Sequence, residues 1–242
     1  APVFLKLENL QRTGSFKIRG SSYLMSRLTA EERARGVVAA SAGNHAQGVA
    51  LAARELGIHA TIFMPLGVPV PKLLATRGYG AEVILQGPTV ELPLQLAAEF
   101  AKETGAVLVH PFDHIDVITG QGTLGLELFE EHPDVDTVLV PSGGGGLIAG
   151  VAGAIKAKAA QAGRTVRVIG VQAANSAAYP ESLAAGHPST VATRPTIADG
   201  IAVARPGDVP FAMIRDLVDE VVTVSEDDIA RALLLLLERA KL

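Results

Sequence analysis

Three stretches of this chain hold residue types that can do chemistry. The first is Thr13-Gly14-Ser15-Phe16-Lys17-Ile18-Arg19-Gly20. Its lysine follows a Gly-Ser turn and precedes an expected helix. A lysine is usually a solvated surface charge. To act as a base or nucleophile it needs a depressed pKa, which burial or nearby positive charge supplies. Phe16 could form an apolar wall beside it. The octapeptide alone fits either reading.

The second stretch is Ser41-Ala42-Gly43-Asn44-His45-Ala46-Gln47-Gly48, where an expected strand gives way to a helix. In parallel sheets ligands bind at that end. Free N–H groups at the helix start favour an anion such as a carboxylate, and Asn44 can both donate and accept. An ordinary capped helix explains the same letters.

The third is Pro141-Ser142-Gly143-Gly144-Gly145-Gly146-Leu147, again between strand and helix. Four glycines remove every Cβ, so backbone N–H groups can converge on a phosphate. A merely flexible turn is the poorer account, because glycine runs cost backbone entropy. Gly144-x-Gly146-x-x-Ala149 loosely matches a dinucleotide fingerprint. The next strand ends near Gln172 rather than an acidic residue, which speaks against NAD. No Lys-Ser/Thr follows the glycines, so this is not a Walker loop.

The elements that must position these residues alternate. Strands are expected over 36–40, 58–64, 81–85, 106–109, 137–140, 166–171 and 220–224. Helices are expected over 45–56, 71–78, 90–104, 123–131, from 147, and over 210–217 and 226–241. Gly57 and Gly105 read as helix stops. Ser225 reads as an N-cap paired with Asp228. A break is expected over 110–122 and a less regular region up to about 207. This is the rhythm of open, mainly parallel sheets with helices on their faces, an α/β fold.

Composition narrows the function classes. Of 242 residues, 48% are hydrophobic and 19% charged, with net charge −4, so a sizeable core is available. Such a chain has no electrostatic reason to bind nucleic acid or an anionic membrane. The uncharged stretch 137–155 contains Pro141, Ser142 and the glycines, and reads as a loop entering a helix rather than a span. With no cysteine there is no disulfide, thiolate metal site or cysteine nucleophile, which suits a cytoplasmic protein. His110 and His114 stand four apart, but Pro111 opposes one continuous helix, so no metal site is expected there. The first residues lack the basic-then-apolar pattern of a signal peptide. No starting Met and an end just after a helical run point to a chain incomplete at both ends.

With Lys17, Asn44 and the glycine loop in that order, the chain resembles fold-type II pyridoxal 5'-phosphate (PLP) enzymes, the tryptophan synthase β-like fold. Most narrowly it resembles the threonine dehydratase and serine racemase family. The matching segments are Gly14 to Gly20, Ser41 to His45, His110-Pro111-Phe112-Asp113, Gly120-Gln121-Gly122-Thr123, Ser142 to Leu147, and Ile197-Ala198-Asp199-Gly200. Cysteine synthases typically carry Lys-Asp-Arg and Asn-Thr-Gly, where this chain has Lys17-Ile18-Arg19 and Asn44-His45-Ala46.

The resemblance implies roles. Lys17 holds PLP as a Schiff base and then takes the substrate α-proton. Phe16 packs on the cofactor ring and Asn44 bonds its hydroxyl. Gly143, Gly144, Gly145, Gly146 and Leu147 hold the phosphate. Ser41, Ala42, Gly43, Asn44 and His45 surround the substrate carboxylate. A small domain of 37–113 is inserted in a large one of 1–36 and 114–242, closing over the substrate.

The implied reaction is that of a threonine ammonia-lyase: threonine gives 2-oxobutanoate and ammonia by β-elimination, and serine gives pyruvate. It would serve amino-acid metabolism, in isoleucine biosynthesis or threonine catabolism. A homo-oligomer, dimer or tetramer, is implied too. Serine racemase is the nearest rival. It uses a serine as acid/base on the face opposite the lysine, where this chain has Ala42. Its divalent metal site corresponds to Gln172, Ser176 and Ala178, which offer no carboxylate, so no metal is expected. The family also continues beyond both ends, with a serine-bearing motif contacting the ring nitrogen that has no equivalent before Leu242. A non-catalytic phosphate- or nucleotide-binding module would explain the glycines but leave Lys17 and the 41–45 stretch without a purpose.

Overall fold

The structure, a computed structural model, describes residues 2–89 and 91–241. Its backbone forms two compact units, 1–121 and 122–242. The first holds residues 1–36 together with the 37–113 stretch.

The first unit begins with α1 (Lys17–Ser26) and α2 (Ala30–Arg35). Sequence reasoning passed over α2, although Thr29 and Glu32 form a full capping box, with Thr29 Oγ1 accepting from Glu32 N and Glu32 Oε2 from Thr29 N. Then come β1 (Val37–Ala40), α3 (Asn44–Leu56), β2 (Ala60–Met64), α4 (Val70–Gly78), β3 (Glu82–Leu85), α5 (Glu91–Thr104) and β4 (Val107–Leu108). The four strands pair in parallel in the order β3-β2-β1-β4. Expected and observed spans agree within two residues at most ends. Val90, the expected first residue of the fifth helix, lies outside the described residues.

The central strands β1 and β2 are buried along their whole length. That suits short apolar runs covered on both faces. Val37, Ala39, Ala60, Ile62 and Met64 pack with α1 and α3 residues such as Met25, Val49 and Leu51. Val38, Ala40 and Phe63 pack on the other side with Ala97 and, partly buried, Phe100. Helix α3 stops at Gly57, whose φ of 65° suits a residue without Cβ.

The expected break over 110–122 is a correction. Helix α6 runs from Ile115 to Glu131, eight residues longer than expected. Within this helix Gly120 serves close packing. A Cβ there would stand 2.6 Å from the Arg19 carbonyl oxygen and from Gly20 Cα, so only glycine lets the two backbones approach so closely. Gly20 answers from α1, where a Cβ would meet the Val117 carbonyl oxygen at 2.7 Å. Its N–H donates to Gln121 Oε1 at 3.2 Å.

In the second unit, β5 (Thr137–Pro141), α7 (Gly146–Gln161), β6 (Arg167–Ala173), α8 (Tyr179–Ala185), α9 (Asp208–Leu217), β7 (Glu220–Val224) and α10 (Glu226–Leu235) follow. The sheet is parallel, ordered β5-β6-β7. Both sheets are thus open and parallel. Helix α8 lies in the stretch expected to be irregular; Pro180 near its start and Gly186 at φ 75° after its end frame it. The last helix was expected to reach Lys241. Its α-helical part ends at Leu235 and residues 236–240 widen into a π turn. Ser225 caps α10 as expected, its Oγ accepting from Asp228 N at 3.2 Å. No helix among the described residues is long and apolar enough to cross a membrane.

Candidate active site

Lys17 is the first residue of α1, reached through a tight turn. Thr13 and Gly14 both adopt left-handed backbone, φ 64° and 70°. For a β-branched residue such as Thr13 that conformation costs about 1–3 kcal/mol. The turn delivers buried Ser15, whose Oγ accepts from Lys17 N at 3.4 Å. The start of α1 rests on α3 at Gly48, where a Cβ would lie 2.9 Å from the Lys17 carbonyl carbon. A larger residue at position 48 would push the lysine away.

The Lys17 side chain is half-buried. Nζ donates to the Pro111 carbonyl at 2.8 Å and stands 5.2 Å from the centre of the Phe16 ring. No carboxylate pairs with it among the described residues. Burial lowers its pKa from 10.5 to about 8. A lysine in this state keeps a sizeable neutral fraction near neutral pH, as attack on a carbonyl carbon requires.

Pro111 belongs to the His110-Pro111-Phe112-Asp113 segment, whose letters alone assign it no role. The turn that aims its carbonyl is closed by His110, whose Nδ1 accepts from Asp113 N at 2.8 Å and Phe112 N at 3.3 Å. His110 has a lowered pKa, mainly from burial, opposed by Asp113 and aided by Lys17. His114 Nδ1 accepts from Asp116 N at 3.1 Å and so caps α6. The two histidines are turn and cap acceptors. Among the described residues no group of three or more His, Cys, Asp or Glu could hold a metal.

The 41–45 stretch connects β1 to α3. Ser41 N is held by the Phe63 carbonyl at 3.1 Å, and Ser41 Oγ accepts from Gly43 N at 3.1 Å. Asn44, exposed, is the first residue of α3. The N–H groups of Asn44, His45 and Ala46 donate to no protein group among the described residues. They form the anion-attracting end of a helix. Lys72 adds a cation there: a Cβ on Gly43 would lie 3.6 Å from Lys72 Nζ. Sequence reasoning missed Lys72, since nothing in the letters brings α4 to that turn.

His45 is buried, and its Nε2–H donates to the Val109 carbonyl at 2.8 Å. Burial first, then the Lys17 charge, lower its pKa to about 3, against the Val109 bond. It is therefore neutral and does not compete with Lys17 for a proton.

In the second unit the glycine loop has its carbonyls tied down. Ser142 O accepts from Gln172 Nε2 at 3.1 Å, and Gly144 O from Tyr179 Oη at 3.2 Å and Gly207 N at 3.0 Å. Gly143 lies against the 3-10 turn Asp199–Ile201, with a Cβ 3.0 Å from Ile201 Cα. This gives the Ile197-Ala198-Asp199-Gly200 motif a structural role behind the loop. The N–H groups of Gly143, Gly144, Gly145, Gly146 and Leu147 have no protein acceptor among the described residues. Gly145 adopts φ 100°, where a side chain is strained.

A model of the family described as "Pyridoxal-phosphate dependent enzyme" matches residues 1–242. The chain belongs to this family. An L-threonine ammonia-lyase of Thermotoga maritima is 54% identical over 239 residues, 99% of this chain. The chain spans 59% of the length of that relative. Among solved structures, the processed form of threonine deaminase isoform 2 from Solanum lycopersicum matches with TM-score 0.94 and 41% identity, over 98% of this chain and 68% of that one. Maize serine racemase matches with TM-score 0.92 and 39% identity, over 97% and 70%.

The residues of this family member fit PLP. A half-buried amine of lowered pKa, without a carboxylate partner among the described residues, suits covalent attachment to an aldehyde. A run of amides with no protein acceptor among the described residues suits a phosphate.

Proposed function

We propose that this PLP-family chain carries out the β-elimination of a threonine/serine dehydratase, converting L-threonine to 2-oxobutanoate and ammonia. The observation that carries the reading is Lys17: a half-buried amine held by the Pro111 carbonyl, unpaired with any carboxylate among the described residues, and lowered to about pKa 8. The threonine ammonia-lyase relative at 54% identity supports the substrate class.

When bound, PLP draws electrons from the substrate α-carbon, so that its proton becomes removable. Lys17 holds the cofactor covalently and later takes the α-proton on Nζ. Pro111 O and the Phe16 ring fix where that nitrogen sits. The loop amides from Gly143 to Leu147 hold the phosphate. The amides at the start of α3, with Ser41, Ala42, Gly43 and Asn44 around them, receive the substrate carboxylate, and Asn44 bonds the ring hydroxyl. His45, neutral and bonded to the Val109 carbonyl, does not draw off the proton.

We further propose an inserted domain of 37–113 within the remainder. The four-stranded sheet, which lies wholly inside those limits, supports it. A homo-oligomer acting on a free amino acid in the cytoplasm completes the proposal. Racemisation of serine is the second reading, favoured by the serine racemase likeness. Ala42 weighs against it, because a methyl group has no proton to give on the face opposite Lys17.

Incubation of the PLP-loaded protein with L-threonine, L-serine and D-serine tests both readings, with keto acid and inverted serine assayed together. Keto acid from L-threonine is expected to outpace racemisation, and Ala42→Ser to raise racemisation. Serine inversion faster than threonine deamination in the unaltered protein would overturn the assignment.

A further inference from the structure

The glycine loop is oriented from behind by two buried side chains. Gln172 of β6 and Tyr179 of α8 are both fully buried, at 0% exposure. Gln172 bridges two backbone groups: Nε2 donates to Ser142 O at 3.1 Å and Oε1 accepts from Tyr179 N at 2.9 Å. Tyr179 then reaches the loop itself, its Oη donating to Gly144 O at 3.2 Å. The hydroxyl lies so close to Gly145 that a Cβ there would collide with it.

These bonds act on the far side of each peptide plane. In a trans peptide the C=O of one residue and the N–H of the next point in opposite directions. Holding the Ser142 carbonyl toward Gln172 turns the Gly143 N–H the other way. Holding the Gly144 carbonyl toward Tyr179 does the same for the Gly145 N–H. Both amides belong to the set with no protein acceptor among the described residues. Four adjacent glycines would otherwise sample many orientations.

We propose that Gln172 and Tyr179 are positioning residues that aim the Gly143 and Gly145 amides at the cofactor phosphate, an inference that rests on the phosphate reading of the loop. Both are buried and act through the loop carbonyls. Gly207 N gives the Gly144 carbonyl a second donor, so loss of the Tyr179 hydroxyl loosens the loop without dismantling it.

Binding of PLP, of pyridoxal, which lacks the phosphate, and of inorganic phosphate to the cofactor-stripped protein tests this. The unaltered protein should bind PLP more tightly than pyridoxal. Tyr179→Phe keeps the ring and removes only the hydroxyl. It should weaken PLP and phosphate about five- to tenfold, the worth of one hydrogen bond, and leave pyridoxal unchanged. Gln172→Glu adds a pH signature. Its neutral carboxyl can still donate to Ser142 O, whereas its ionised form repels that carbonyl. PLP affinity relative to the unaltered protein should therefore fall as pH rises.

If Tyr179→Phe binds PLP, phosphate and pyridoxal as the unaltered protein does, with only a lower melting temperature, the two residues are structural and the proposal is wrong. Equal weakening of pyridoxal would overturn it as well. If the unaltered protein binds pyridoxal as tightly as PLP, the phosphate reading of the loop falls first and takes the proposal with it. A Gln172→Glu ratio flat with pH would remove Gln172 from the assignment.

Discussion

The Lys17 ammonium donates to the Pro111 carbonyl at 2.8 Å, across 94 residues of sequence. That bond ties the covalent-attachment candidate to a turn which His110 holds closed. It also fixes the nitrogen without giving it a counter-charge. Burial then governs its protonation.

The first prediction concerns that protonation. With a pKa about 8, Lys17 has about 300-fold more neutral amine at pH 7 than an ordinary lysine of pKa 10.5. Attachment of pyridoxal to the cofactor-stripped protein, followed by absorbance, should rise with pH and level off above about pH 8. A rate still climbing steeply at pH 10 would show an ordinary lysine.

The second concerns the turn. His110→Leu keeps the bulk but removes the acceptor for two backbone amides. Leaving those donors unsatisfied should cost about 1–3 kcal/mol, read by urea denaturation. A loss below about 0.5 kcal/mol would mean that water replaces the ring.

How much of this was legible follows from what each residue needs. Lys17, Asn44 and the four glycines sit in local patterns, and each pattern falls at the strand or helix end where its chemistry belongs. The glycine at 57 was readable as a stop because the helix pattern ends there. Gly120 was not, since its purpose lies in the approach of Gly20, a residue 100 positions away. Lys72, Gln172 and Tyr179 carry no local signal either; tertiary packing alone brings them to their turns. The capping box at Thr29 and Glu32 was readable from spacing and went unread.

The third prediction tests that packing. Gly120→Ala forces a Cβ against two backbones and should destabilise by about 1–3 kcal/mol or more. Gly78→Ala, in α4 with open space around it, should be neutral or stabilising by up to about 1 kcal/mol. Denaturation midpoints of the two variants decide it. Equal effects would contradict the close approach of α1 and α6.

The fourth uses His45. Its pKa is about 3 when folded against an ordinary 6.5, so between those values the unfolded chain binds the proton and the folded one does not. Stability from this group is present above pH 6.5 and is lost as pH falls toward 3. Between pH 7 and 5 the loss is about 2 kcal/mol. His45→Gln should flatten that slope, by urea denaturation at both pH values. An unchanged slope would place the acid sensitivity elsewhere.

The most direct test is chemical. The PLP-loaded protein is reduced with borohydride, digested and mapped by peptide mass spectrometry. The account predicts a pyridoxyl group on Lys17, and none after Lys17→Ala. A pyridoxyl group on another lysine, with Lys17 unlabelled, would contradict it.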